Sequence, residues 1–595
     1  MKITQMLLLG FPEMIPSLSH AQSELQTDVP ELKLPWGIYQ ASVFDADLKI
    51  YLLKNVRFGA ILERFGPPSP PSWENDTVQP VADGRNCIQV DTSKLKNPPG
   101  GKAPLNDPRD GNMKQAEDCL FLDIYAPFSA FDPDAKALPV VVWIYGGAFA
   151  FGSKDQLEPL YTGQSIITAS DNQTIFVVGN YRLGAFGWLA GDYMQKAAQP
   201  NAGLYDQALL LEWVQEYVGQ VGGDKNKVSV WGESAGASSI LHHLIREDGK
   251  KDPLFRTFIA MSPAFEWAWD NSPGGRLDEM YKNFSGFTGC GCEYDIACLR
   301  QLDIRNLTAA NQRLFTTVRQ TGLFPVGPAV DGEWVKRIPT VAFSKNMFWQ
   351  EIDSAIISHC GNEAGTFLPK DPITDADKFD AFLRTMLPGP DLCPQREAIR
   401  KKYDCQTRYH GDYVACITDV IRDSSLTCNT RDLFNAYPNI SYMMEHAFPY
   451  VRIAFHARDL VTLFINNKSE AKKLFINAKV PLVSGLLAGW LVDDGISSTY
   501  QNYFASFALS GNPNERVPRS APFWPHANGS GDQLSNVMQV RHSDKDPFVC
   551  ITDDQNSNDT CSFWTDLAAS IMDPPKSYEK EGPDIQGGLY YPNEL

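Results

Sequence analysis

Val228-Ser-Val-Trp-Gly-Glu-Ser-Ala-Gly-Ala237 is the stretch whose reading decides the fold. An apolar run of β type ends in Gly232-Glu233-Ser234-Ala235-Gly236, and a helix-compatible run, Ser238-Ser-Ile-Leu-His-His-Leu244, follows at once. Strand, sharp turn and helix around Gly-x-Ser-x-Gly make a nucleophile elbow. The glycines let strand and helix approach closely, while the turn holds the serine in a strained conformation. Backbone N–H groups at the helix start point at the reacting centre and favour negative charge there. With 44 glycines in the chain the bare pattern arises easily by chance, so the flanking strand and helix carry the argument.

Upstream, Leu138-Pro-Val-Val-Val-Trp-Ile-Tyr145 is apolar on both faces, as a central strand covered by helices should be. It runs into Gly146-Gly147-Ala148-Phe149, a small-residue loop with exposed amides. A serine nucleophile needs such fixed donors for the charge of its tetrahedral intermediate, and losing one typically costs about two to three decades in rate. Cys119 to Tyr125 and Thr174 to Asn180 read as further strands, Leu204 to Tyr217 as a helix, and the residues from Leu34 as a hairpin. Strands alternating with helices predict an α/β fold with a large, mostly parallel sheet covered on both faces. Residues 270 to 480 carry more helix and loop, as insertions would, and Val480 to Val492 reads as a buried helix.

The 595 residues are read as one catalytic domain over 22–595, with those insertions, behind a signal peptide at 1–21. Lys2, the apolar Met6 to Phe11 and the small residues of Ser19-His20-Ala21 carry the leader reading, although Pro12 and Glu13 shorten its apolar part. Apolar residues make up 43% of the chain, enough for a large core. A net charge of -18 with no Lys/Arg cluster argues against nucleic acid as a partner. No run approaches the roughly 18 apolar residues that span a membrane. The 12 cysteines form no zinc-ligand pattern, so no metal site is expected. An even cysteine count and eight sequons, at Asn75, Asn172, Asn283, Asn306, Asn439, Asn467, Asn528 and Asn558, point to an oxidising secretory lumen, glycosylation and secretion.

Glu117-Asp-Cys-Leu-Phe-Leu-Asp-Ile-Tyr125, Tyr145-Gly-Gly-Ala-Phe149 and Gly232-Glu-Ser-Ala-Gly236 resemble, in order, the marker motifs of the type-B carboxylesterase/lipase family. That family includes cholinesterases, animal carboxylesterases and secreted fungal lipases, and the chain resembles its secreted fungal members. Asn180-Tyr-Arg-Leu-Gly-Ala-Phe-Gly187, Val330-Asp-Gly332 and Phe507-Ala-Leu-Ser-Gly-Asn-Pro-Asn514 extend the likeness to about residues 30 to 565. The resemblance implies an α/β-hydrolase fold and ester cleavage by a Ser-Glu-His triad through an acyl-enzyme, without a cofactor. Glu363, in Ala355-Ile-Ile-Ser-His-Cys-Gly-Asn-Glu363, matches the family acid. Its order of serine, acid, histidine leaves His410, His446, His456, His526 and His542 as bases. His456 matches best, with Asp459 three residues on, and His446 is its rival. The N–H groups of Gly147, Ala148 and Ala235 would hold the oxyanion. Phe149, Phe151 and Trp269 fall where relatives place acyl-pocket aromatics.

Two departures stand out. The usual proline of the lead-in is missing from Asn55-Val-Arg-Phe-Gly-Ala60, and Ala148 replaces a third loop glycine. Disulfides are expected at Cys87–Cys119 and Cys290–Cys298, with Cys292 an alternative to Cys290, and Cys550–Cys561 follows from proximity alone. Choline-binding members of the family place a tryptophan in the loop that corresponds to Cys87–Cys119, and this loop has no aromatic residue, so the resemblance implies weak cholinesterase activity at most. The loop also holds few large aliphatics and several prolines, too little apolar surface for the interfacial flap that lipases of the family carry here, which favours a soluble or dispersed ester. An interfacial lipase for triacylglycerols or sterol esters, or ester and lactone processing in a secondary-metabolite pathway, would use the same residues. A non-catalytic adhesion module, the other class in this family, would lack one of the three catalytic groups. The oligomeric state is not legible.

Overall fold

The fold comes from a computed structural model that describes residues 29–80, 85–94, 114–155, 159–317, 325–369, 372–477 and 492–572. The leader, nearly all of the apolar Val480 to Val492 and residues 95–113 of the Cys87–Cys119 loop lie outside the described residues.

A mixed sheet of 11 strands forms the frame. Seven parallel strands fill its middle, in the spatial order Ile175–Gly179, Leu138–Ile144, Gly223–Glu233, Thr257–Met261, Ser354–Cys360, Ser441–His446 and Leu534–Val540. Antiparallel strands close both sides: Phe548–Asp553 at one edge, and Phe121–Pro127, Ile50–Arg57 and Ser42–Asp45 at the other. The middle strands are buried on both faces because helices cover both. Val140, Val141, Val142 and Trp143 have no exposed surface, and neither have Ile356 and Ile357. Continuous apolar runs, rather than alternating ones, are what such burial requires. Ala202–Tyr217 and Ala235–Leu244 are among the covering helices.

Among the described residues, 270–480 are rich in helix, as in Arg276–Thr288, Ala376–Met386, Cys393–Tyr403, Tyr413–Arg422 and Cys428–Ala436. Phe379, Phe382, Leu383, Ile399 and Ile417 bury a second core with Trp564 of the C-terminal helix Asn558–Met572. Between two of these helices, Asp423–Thr427 winds as a π turn. Such turns occur mostly as single bulges within helices, often at functional sites.

Cys87–Cys119 and Cys290–Cys298 are bonded, together with Cys405–Cys416 and Cys428–Cys561. The expected Cys550–Cys561 bridge does not form. Cys550 is exposed on the edge strand, whereas Cys561 lies on the buried face of the last helix against Cys428. Closeness in sequence counted for less than the direction of each side chain. Cys292 is free and exposed.

Candidate active site

Because the middle strands are parallel, their C-terminal ends share one edge, where open α/β sheets bind ligands. The loop expected to hold the oxyanion, 146–149, follows the strand Leu138–Ile144, Ser234 follows the strand ending at Glu233, and Glu363 lies in the loop after Ser354–Cys360. His456 follows Ser441–His446 and precedes the helix Asp459–Phe464.

Ser234 has φ 56 and ψ -122, outside ordinary α or β backbone, and caps the helix Ala235–Leu244. The turn demands its glycines. A Cβ on Gly236 would stand 2.0 Å from the Ile144 carbonyl oxygen, and one on Gly232 2.6 Å from the Gly236 carbonyl carbon. The oxyanion loop is equally tight. Gly147, Ala148 and Phe149 all have positive φ, at 112, 51 and 60, and a Cβ on Gly147 would lie 2.0 Å from the Phe151 oxygen. The N–H groups of Gly147, Ala148 and Ala235 donate to no acceptor among the described residues. Three donors left open beside one serine suit an incoming oxyanion.

Glu363 and His456 meet directly, with Nδ1 2.5 Å from the carboxylate oxygen Oε2. The backbone N–H of Cys360 donates to the other oxygen at 2.5 Å. Burial pushes the Glu363 carboxyl up, but His456, the Ser262 hydroxyl and the Cys360 N–H outweigh it and leave the group below its ordinary range. Burial works against the His456 cation, yet Glu363 and Glu233 raise it to about 9. Its other nitrogen, Nε2, lies 3.2 Å from Glu233 Oε1 without a hydrogen bond. Ser234 Oγ makes no hydrogen bond among the described residues. Glu233 and the fully buried Asp459 are driven upward, chiefly by burial and by repulsion from neighbouring carboxylates. One imidazolium cannot offset three buried carboxylates, so Glu363 keeps the charge and the other two favour protons.

The rival His446 stands elsewhere. It is buried, with Nε2 2.9 Å from the Thr462 hydroxyl, and burial holds its pKa at about 3. A cavity that opens to solvent extends from the loop at Ala148 and Phe149. Ala148, Phe149 and Trp269 line it, with Phe265, Trp267 and the insertion residue Ser425. Phe151 does not line it and corrects the expectation. The turn that brings its carbonyl against Gly147 leaves its ring buried in the main core. Sequence reasoning missed Phe265, Glu266 and Trp267. Their signal is an acid between two aromatics just beyond the parallel strand Thr257–Met261.

The Carboxylesterase family model matches residues 41–564. A secreted lipase of Arthroderma benhamiae is 34% identical over 556 residues, covering 92% of this chain and 94% of the relative. Carboxylesterase patB of Penicillium expansum is 30% identical and covers 76% of each chain. Lipase 2 of Geotrichum candidum is 38% identical over 78% of this chain and 80% of its own. Among solved structures, Aspergillus niger EstA superposes with a TM-score of 0.71 at 23% identity, covering 91% of this chain and 99% of that one, which speaks for the fold alone. A family match across nearly the whole length, on an α/β-hydrolase frame with a nucleophile elbow at its sheet edge, has one conclusion: this chain belongs to the carboxylesterase family and is a carboxylic-ester hydrolase.

Proposed function

We propose that the protein cleaves carboxylic esters through Ser234, with His456 as general base and acid and Glu363 as its orienting carboxylate. The observation that carries this is the Glu363–His456 hydrogen bond at the same sheet edge as the elbow serine. His456 takes the Ser234 proton as Oγ attacks the ester carbonyl. The charge that develops on the carbonyl oxygen meets the N–H groups of Gly147, Ala148 and Ala235. His456 then protonates the departing alcohol, and water repeats the sequence on the acyl-enzyme. Phe149 and Trp269 pack against the acyl group in the cavity that both line. Diisopropyl fluorophosphate should inactivate the enzyme stoichiometrically, with the label on the peptide holding Ser234. A label on another serine would overturn the assignment.

The raised pKa of His456 sets the pH profile. Below that pKa the imidazole is protonated and cannot accept the Ser234 proton, so kcat/KM should climb with pH. Its limb should lie above the ordinary 6.5 and towards about 9. Glu233→Gln removes the charge that Glu233 takes on as it loses its proton towards about 8, and should move the limb to lower pH. A limb below 6.5 in the wild type would contradict this electrostatic account.

The few aliphatics of the Cys87–Cys119 loop favour a soluble or dispersed ester. A second reading, an interfacial lipase, is supported by the names of two relatives and by the exposed Tyr450, Val451, Ile453 and Phe455 just before His456. Rate against tributyrin concentration separates the two: a smooth curve through the solubility limit fits the first, and a sharp rise there the second. The eight sequon asparagines are all exposed or partly exposed, and four disulfides are formed. Both support secretion with cleavage of residues 1–21 and glycosylation. No helix among the described residues is long and apolar enough to cross a membrane.

A further inference from the structure

The cavity beside the oxyanion loop is walled mainly by apolar groups, yet six polar side chains also reach it. Five of them already have partners within the protein. Asp270 accepts from the Ser272 hydroxyl and the Arg276 backbone N–H, and Arg276 pairs with Glu279 at 3.6 Å. The Ser424 and Ser425 hydroxyls lie 3.1 Å apart in the π turn, and Thr385 donates to the Ala381 carbonyl. The sixth, Glu266, makes no hydrogen bond or ion pair among the described residues. It stands between Phe265 and Trp267, partly buried, with Trp269 beyond.

An unpartnered carboxyl in an aromatic-walled pocket is a poor neighbour for a plain alkyl chain. Such a chain would strip its water and give nothing back. Burial pushes Glu266 up to about 8, against the pull of Arg276, although the side chain is only partly buried and still has water to lose. A substrate hydroxyl can donate to the carboxylate and can also accept from the protonated form. Pockets built to hydrogen-bond a substrate group discriminate strongly against the analogue that lacks it.

We propose that Glu266 is a specificity-determining residue of this cavity, selecting esters whose acyl chain carries a hydroxyl over their plain alkyl counterparts. The proposal rests on the reading of the cavity as the acyl site of a Ser234 hydrolase.

The test uses ethyl esters of ω-hydroxyalkanoic acids from three to eight carbons, each paired with the unsubstituted ester of equal length. In the wild type, kcat/KM for at least one hydroxylated ester should exceed its plain partner about tenfold or more. Glu266→Leu should bring that ratio to one or below, while Glu266→Gln, which can still accept, should keep most of it. Melting curves show whether each variant is folded, and the ratio is read within one protein, so the amount of active enzyme drops out. Ratios near or below one across the wild-type series, or a preference that survives Glu266→Leu, would overturn the proposal. Those outcomes leave the hydrolase reading intact as long as Ser234→Ala lowers kcat for every ester to well below a few per cent of wild type. More than a few per cent of wild-type kcat in Ser234→Ala would instead remove the reading on which the proposal stands.

Discussion

Ser234→Ala is expected to lower kcat for a simple aryl ester by about five decades or more, while the melting curve stays that of the wild type. Five decades correspond to about 7 kcal/mol of transition-state stabilisation. The change removes one oxygen that has no hydrogen bond among the described residues, so the fold loses little. Alanine has no more trouble than serine with a φ of 56, since both carry a Cβ. Slow turnover above the uncatalysed rate should persist, because the oxyanion donors and the pocket remain. More than a few per cent of wild-type kcat, measured on protein free of contaminating esterase, would remove Ser234 from the nucleophile role.

His456→Ala should be nearly as damaging, and the double variant with Ser234→Ala hardly worse than either single one, because the groups act as a unit. Removing the imidazole also strands Glu363, a buried carboxylate that then takes up a proton or destabilises the chain by about 3 to 5 kcal/mol. His456→Gln keeps an amide to donate to Glu363, so it isolates the chemical defect from the structural one. His446→Ala is the control. That imidazole holds Thr462 in the core, so its loss should lower the melting temperature while kcat per folded molecule stays close to wild type. If His446→Ala is the inactive variant and His456→Gln is not, the base has been misassigned.

Much of this architecture is legible along the chain because local physics writes it there. Leu138 to Tyr145 is apolar on both faces because the strand is covered on both, and Gly232 and Gly236 are glycines because a Cβ at either would strike backbone. Ser234, Glu363 and His456 each sit in a motif that local sequence displays, and the sheet brings the loops carrying them to one edge. What was not legible depends on contacts between distant segments. Cys561 meets Cys428 across 133 residues, a pairing no spacing rule selects, while the nearer Cys550 faces solvent. Phe151 was misread because two residues of left-handed backbone after Gly147 redirect the chain and turn that ring into the core. Glu266 is not legible as a site residue because its meaning lies in having no partner among the described residues, and absence leaves no mark on a sequence.

The order of strands in the sheet also has a temporal side. A chain made from its N-terminus delivers Leu138–Ile144, Ile175–Gly179 and Gly223–Glu233 in succession, and the first of these lies between the other two and pairs with both. The elbow and the oxyanion loop can therefore dock while the remaining half of the polypeptide is still being made. Glu363 and His456 arrive only with Ser354–Cys360 and Ser441–His446, and Cys428 waits for the last helix to bring Cys561. On the proposed triad, a nascent or truncated chain thus holds a nucleophile without its base, and an unpaired thiol beside its second core. Hydrolytic competence comes last, as a property of the finished chain.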